Sequence, residues 1–325
     1  MATLENNVFT LNKYTEAYKS GVISPLPENA GWFGGGWGSS PSPGPVSIVS
    51  RISYFNDNVT TVARGPLSRV TYWHGSTGNS TDGWFGGGGQ GPPYVLKSIV
   101  DRIIFTSDSA IAVAKGPLSS AKYGLAATGN TTDGWFGAGF NGSDTISTVD
   151  RIIFVSDTAT AVAKGPLSLS RWTLAATGNT TDGWFGGAAS PAGVVSTVDR
   201  VIFASDTATA TAKGPLSGNR YGNGATGTST DGWFGGGYQP NARRSTVDRV
   251  IFASDTATAV AKGPLSLARQ YLSTSGTASP ASGWFGGGFD GPYLSTIDRI
   301  IFASDTATAS ARGPLDAVRG YLTAV

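Results

Sequence analysis

The chain contains no cysteine, so a disulfide framework and a thiolate metal site are both excluded. A single histidine, His74, leaves no imidazole cluster for a metal and removes most schemes with histidine as general base. Charge is sparse: 14% of the 325 residues are Asp, Glu, Lys or Arg, and 23 basic against 21 acidic side chains leave +2. Electrostatic binding of nucleic acid needs a basic excess, so nucleic acid is not an expected partner. No run approaches the ~18 consecutive apolar residues of a spanning helix. The opening "MATLENNVFTLNKYTEAYKS" lacks the apolar stretch of an export signal. Cytoplasmic synthesis without export, and no membrane insertion, are the expectations.

What is abundant is glycine, at 47 residues, with 17 prolines and a 39% hydrophobic fraction. That is too apolar for a disordered chain and too rich in turn formers for a helical one. The glycines gather in one phrase, "GWFG", written six times around Trp32, Trp84, Trp135, Trp184, Trp233 and Trp284. A phosphate-binding loop occurs once, between a strand and a helix, usually with a lysine or a spaced G-x-G-x-x-G. Here the glycines end a Trp-Phe strand and lead into loops of changing length, so they read as strand exits.

The tryptophans lie 52, 51, 49, 49 and 51 residues apart. A period near 50 belongs to propeller blades rather than helical solenoids. One repeat, 169–217, divides into "RWTLAATG" (171–178), "GWFGG" (183–187), "STVDRVIFAS" (196–205) and "TATATAKGPLS" (207–217), punctuated by polar turns. The expected fold is all-β: a six-bladed β-propeller of four-stranded antiparallel blades. Its blades are 31–68 with 318–325, 69–119, 120–168, 169–217, 218–266 and 267–317, after an N-terminal arm, 1–30. Neighbouring strand residues point to opposite faces, so each Trp-Phe pair should serve two interblade interfaces.

The two ends of the repeat region complement each other. The first repeat lacks the strand that precedes "GWFG" elsewhere, whereas the last runs on as "VRGYLTAV" (318–325). Arg319 falls where Arg171 sits, so the C-terminal strand is expected to pair into the first blade and close the ring.

The succession "FGGG", "STVDRIIF", "SDTAT" and "KGPLSLAR" resembles the kelch repeat over 31–325. A kelch strand ends in Gly-Gly before a variable loop, a Tyr-Asp strand, a Trp and a Leu-Pro exit. Here Ile103, Ile152, Val201, Val250 and Ile300 replace the Tyr, and Ala159, Ala208, Ala257 and Ala307 the Trp. The aromatic load moves to the Trp-Phe strand. The wording of the repeats also resembles repeat proteins of marine bacteriophages, cyanophages among them, which implies a virion-associated protein.

Charged residues recur as sets: Asp101, Asp150, Asp199, Asp248 and Asp298, each followed by Arg, and Asp108, Asp157, Asp206, Asp255 and Asp305 in the "SDT" turns. A catalytic site needs unlike groups converging at one point. Charges repeated around an axis do the reverse, so they are expected in salt bridges between blades and in turn hydrogen bonds. One carboxylate per turn is too few for calcium. No metal and no cofactor are expected. His74, with Leu125 and Leu174 at its place in other repeats, reads as a polar substitution facing a wet channel, and Trp73 and Trp172 beside that strand as fillers between blades. The triplets at Asn79, Asn130 and Asn179 match glycosylation acceptors but read as polar hairpin turns.

Variation concentrates in the loops after the glycines, on the face that also carries the "GPLS" connections. These loops supply the candidate partner-binding residues Trp37, Tyr94, Phe140, Tyr238, Arg243, Arg244, Phe289, Asp290 and Tyr293. Aromatics and Arg are the types that supply binding hot spots, and loops carry function on rigid scaffolds. The expected function is therefore non-enzymatic: a virion component (capsid decoration, tail or fibre) that contacts other virion proteins through its arm and presents loops to a host-surface glycan or protein. The alternatives are a soluble glycan-binding lectin and an enzyme with its site at the channel mouth.

Overall fold

In a computed structural model of the chain, residues 29–39, 43–91, 94–275 and 281–325 are described. The expected arm thus lies almost wholly outside the described residues. The fold is all-β, and the described residues form six four-stranded antiparallel sheets with three smaller ones beside them, an arrangement consistent with a β-propeller.

The third repeat shows how a sheet arises. Ala126–Gly129, Asp133–Phe140, Thr145–Ile153 and Val162–Lys164 lie side by side in chain order. Within Asp133–Phe140, alternation sends Trp135 and Phe136 to opposite faces, and both are at most 1% exposed. Trp135 stacks on Phe203 of the following repeat, ring centroids 3.7 Å apart. Phe136 lies against Gly86 of the preceding one, where a Cβ would stand 2.8 Å from the ring. The first glycine after the Trp-Phe pair thus makes room for a neighbour's phenylalanine. The series is cyclic: Gly34, Gly86, Gly137, Gly186, Gly235 and Gly286 face Phe85, Phe136, Phe185, Phe234, Phe285 and Phe33. Burying such side chains stabilises by about 1.5–3 kcal/mol each, which is why the phrase is repeated.

The last residues join the first sheet. Thr323–Ala324 pairs antiparallel with Ala30–Gly34, Phe33 opposite Ala324 and Gly34 opposite Thr323. Trp32 and Val325 exchange backbone hydrogen bonds of 3.0 and 3.1 Å.

The strands differ from the sequence reading at their ends. The third strand of the fourth repeat stops at Ile202, because Phe203–Ser205 winds into a 3-10 turn that aims Phe203 at Trp135. The outer strand shrinks to Thr211–Ala212, and the inner one begins only at Ala175. The segment after the glycines is no open loop here. Ala188, Ala189 and Ser190 pair with Val195, Val194 and Gly193 beyond a bulge, extending the hairpin outward.

Candidate binding face

The repeated charges are consumed by the framework. Asp255 accepts a 3.0 Å hydrogen bond from the Trp184 indole of the preceding repeat and pairs with Lys213 at 3.3 Å and Arg200 at 3.5 Å. The same arrangement recurs at Asp157 and Asp206, and Asp57 accepts from Trp284 at 2.8 Å and Arg299 at 3.1 Å. Among the described residues no three His, Cys, Asp or Glu side chains gather as a site. The second set is deeper. Asp199 accepts from the Ser168 backbone and hydroxyl and meets the fully buried Arg171 at 3.0 Å. In the turns, Asn79 Oδ1 accepts from the backbone of Thr81 and Asp82, so that triplet is a hydrogen-bonded hairpin turn.

One junction exchanges its residues. Ser50 stands where other repeats have Asp, and Asp316 stands where they have the Ser of "GPLS". The Ser50 hydroxyl donates to Asp316, and Arg319 reaches Ser50 as Arg171 reaches Asp199. At another, Thr71 takes the place of the buried cation and Arg69 reaches in instead, 3.4 Å from Asp101.

His74 does not face a wet channel: it is 1% exposed, tilted against Phe85 at 5.9 Å. Burial, then the charge of Arg69, depresses its pKa to about 3, with a backbone contact to Gly34 acting the other way. It is a neutral core imidazole at pH 7 and not a base. The correction follows from packing: at this register the side chain turns into the sheet interface, as the leucines do.

The residue before each of these positions adopts a left-handed backbone. Trp73, Gly124, Thr173, Gly222, Tyr271 and Tyr321 have φ of 54, 68, 54, 64, 58 and 58°. Their main chains form a cycle of hydrogen bonds. Trp73 N–H donates to Tyr321, Tyr321 to Tyr271, Tyr271 to Gly222, Gly222 to Thr173, Thr173 to Gly124 and Gly124 back to Trp73, all at 2.6–2.9 Å. One cavity, of about 460 Å³ and lined by the inner strands, lies to one side of this cycle. A second, of about 490 Å³, lies on the side of the variable segments.

That second side is aromatic. Trp73 is T-shaped to Trp172 at 5.4 Å and to Tyr321 at 4.7 Å, and stacks on Tyr123 at 5.1 Å. Trp73 and Trp172 come from non-adjacent repeats, so they converge at the centre of the molecule instead of filling space between neighbours. Around them stand the candidates from the sequence. Tyr94, 69% exposed, lies nearly parallel to Trp37 at 6.4 Å, and Trp37 meets Tyr72 edge-on at 5.0 Å. Tyr293 approaches Tyr321 at 6.1 Å and Phe289 at 5.3 Å. Phe140 flanks Tyr123 and Trp172, and Tyr238 flanks Tyr221. Arg243 sits 5.1 Å above the Phe289 ring and 3.5 Å from Asp290, while Arg244 is held by Gln239. Burial raises the phenol pKa values of Tyr72 (to about 12), Tyr123, Tyr271, Tyr293 and Tyr321, so these groups stay protonated donors at neutral pH.

Sequence reasoning missed the inner members Tyr72, Tyr123, Tyr221, Tyr271 and Tyr321, and read Trp73 and Trp172 as fillers between blades. A signal existed: an aromatic recurs at the start of every innermost strand, one residue later in the last two repeats. Compared with models of protein families and with curated proteins, the chain matches none.

Proposed function

We propose that this chain is a closed six-bladed β-propeller, kelch-like in its repeat, that works by binding and not by catalysis, using the face that carries its variable segments. Six four-stranded sheets, the cyclic Gly–Phe contacts, the cyclic hydrogen bonds and the pairing of 323–324 with the first sheet support the closed six-fold reading. The observation that carries the functional reading is the convergence of aromatic side chains from all six repeats on the one face where the repeats differ. Loop aromatics and Arg243 surround them, the composition of a recognition surface. Among the described residues the repeated Asp, Lys and Arg side chains pair with one another within and between repeats, whereas an enzyme would use unlike groups converging at one point.

The resemblance to marine phage repeat proteins supplies the setting. The protein is a virion component, held through residues 1–30 and turning its variable face to another protein or to a host-surface glycan. Electron microscopy of purified virions, with mass spectrometry for copy number, tests the setting. Symmetric copies on a shell, tube or fibre tip are expected, and absence from every particle refutes it. Tyr238→Ala with Arg243→Ala and Arg244→Ala tests the face, since attachment should weaken. Undiminished attachment would move the site elsewhere.

A further inference from the structure

The central aromatic basin differs from the rest of the face in being uncharged: among the described residues that line it there is no Asp, Glu, Lys or Arg. Phosphate, sulfate and carboxylate ligands need a cation or a helix N-terminus, and neither is present there. A volume of about 490 Å³ is far larger than one quaternary ammonium group needs, so a cation cage is a poor fit. The lining is amphipathic instead. Tyrosine offers a flat apolar face with an O–H at one edge, and tryptophan a larger apolar face.

Strain points to the same place. Two of the six left-handed positions use glycine, which adopts that conformation freely. Thr173, Tyr271, Trp73 and Tyr321 occupy the same conformation against the steric preference of their Cβ atoms. All four line the inner-strand cavity, and the two aromatic residues shared by both cavities, Trp73 and Tyr321, also line the basin. A large side chain kept where glycine is the easier choice marks a surface that the molecule uses.

Building on the reading of this face as the binding surface, we infer that the basin takes a neutral glycan of pyranose sugars. A pyranose has an apolar C–H face to lie on Trp37 and Tyr94 and a rim of hydroxyls for the phenols. It carries no charge that the basin would have to neutralise.

The test is a titration of neutral oligosaccharides of glucose, galactose, mannose and N-acetylglucosamine against the full chain, read by intrinsic tryptophan fluorescence. Tyr94→Ala and Trp37→Ala are run beside it, with Phe55→Ala, at an exposed position away from the basin lining, as control and circular dichroism as the check on folding. At least one neutral oligosaccharide should give a saturable shift, weakened on the order of tenfold or more by Tyr94→Ala and unchanged in Phe55→Ala. No saturation at millimolar sugar, response to anionic glycans alone, or equal affinity in both basin variants would overturn the inference. If sugars fail while the Tyr238, Arg243 and Arg244 variant still loses attachment, the glycan is wrong and the binding face stands. If sugars bind but the protein is on no virion, the glycan stands and the setting falls.

Discussion

Exchanging Ser50 and Asp316 in two steps asks whether the two ends of the chain share one buried junction. Arg319 is fully buried, and burial pulls its pKa down to about 10 while Asp316 opposes the shift. In Asp316→Ser the guanidinium keeps the Phe33 and Ile48 carbonyls, at 3.1 and 3.0 Å, but loses its carboxylate. The carboxylate stands 4.0 Å from the guanidinium with its side chain 20% exposed, so losing it should cost about 1 kcal/mol. In Ser50→Asp a second carboxylate arrives beside the first. Two like charges about 4 Å apart repel by about 4 kcal/mol at an effective dielectric of about 20, which Arg319 halves by pairing with both. The double variant recreates the order found at Asp199, where Ser168 donates at 2.6 Å and Arg171 pairs at 3.0 Å. It should unfold within about 1 kcal/mol of the parent, so the coupling is about 2 kcal/mol. Urea unfolding of all four proteins measures it. Effects that simply add, within about 0.5 kcal/mol, would refute the junction.

Three further outcomes follow from the packing. His74 has a folded-state pKa of about 3 against an ordinary 6.5, so its neutral form contributes stability that is present above pH 6.5 and lost as the pH falls towards 3. By linkage the loss is about 2–3 kcal/mol at pH 4.5, and His74→Leu should remove that part of the acid sensitivity, seen as a flatter profile of Tm against pH. Gly165→Ala would place a Cβ 2.0 Å from the Ala208 carbonyl of the next repeat, and overpacking against backbone should cost about 3 kcal/mol by urea unfolding; no loss would mean that the sheets are not so close. Thr173→Gly, as at Gly124 and Gly222, should raise stability by about 1 kcal/mol by relieving a left-handed β-branched residue, and a lower Tm would show that no strain is stored there.

The framework was legible because its signals are local and repeated. A period near 50, alternation through the Trp-Phe pair and the orphan tail at 318–325 each point to sheets stacked on their neighbours. The roles of the charges were legible only as sets. That Asp255 takes the Trp184 indole depends on two residues far apart in the chain, and nothing in either repeat announces the pairing. The Ser50–Asp316 exchange is visible in the text as "VSR" for "VDR" and "GPLD" for "GPLS", but it means something only once the ends are placed together. The variable segments were found from their differences. The aromatic centre was hidden because its members sit at or just before left-handed positions, and Trp73, Tyr271 and Tyr321 are residues whose preferences argue against that conformation. Strand ends slipped where Phe203–Ser205 leaves the strand to stack on a neighbour, a tertiary effect that overrides propensity.

Amide hydrogen exchange of the protein, free and bound to the envelope of host cells, tests most directly whether the variable aromatic face is the binding surface. Slowed exchange is predicted in Trp37–Gly38, Val95–Leu96, Tyr238–Gln239 and Ala242–Arg243, around the central aromatics. Protection confined to the outer strands, such as Val62–Arg64 and Val162–Lys164, or to the opposite channel mouth, would contradict it.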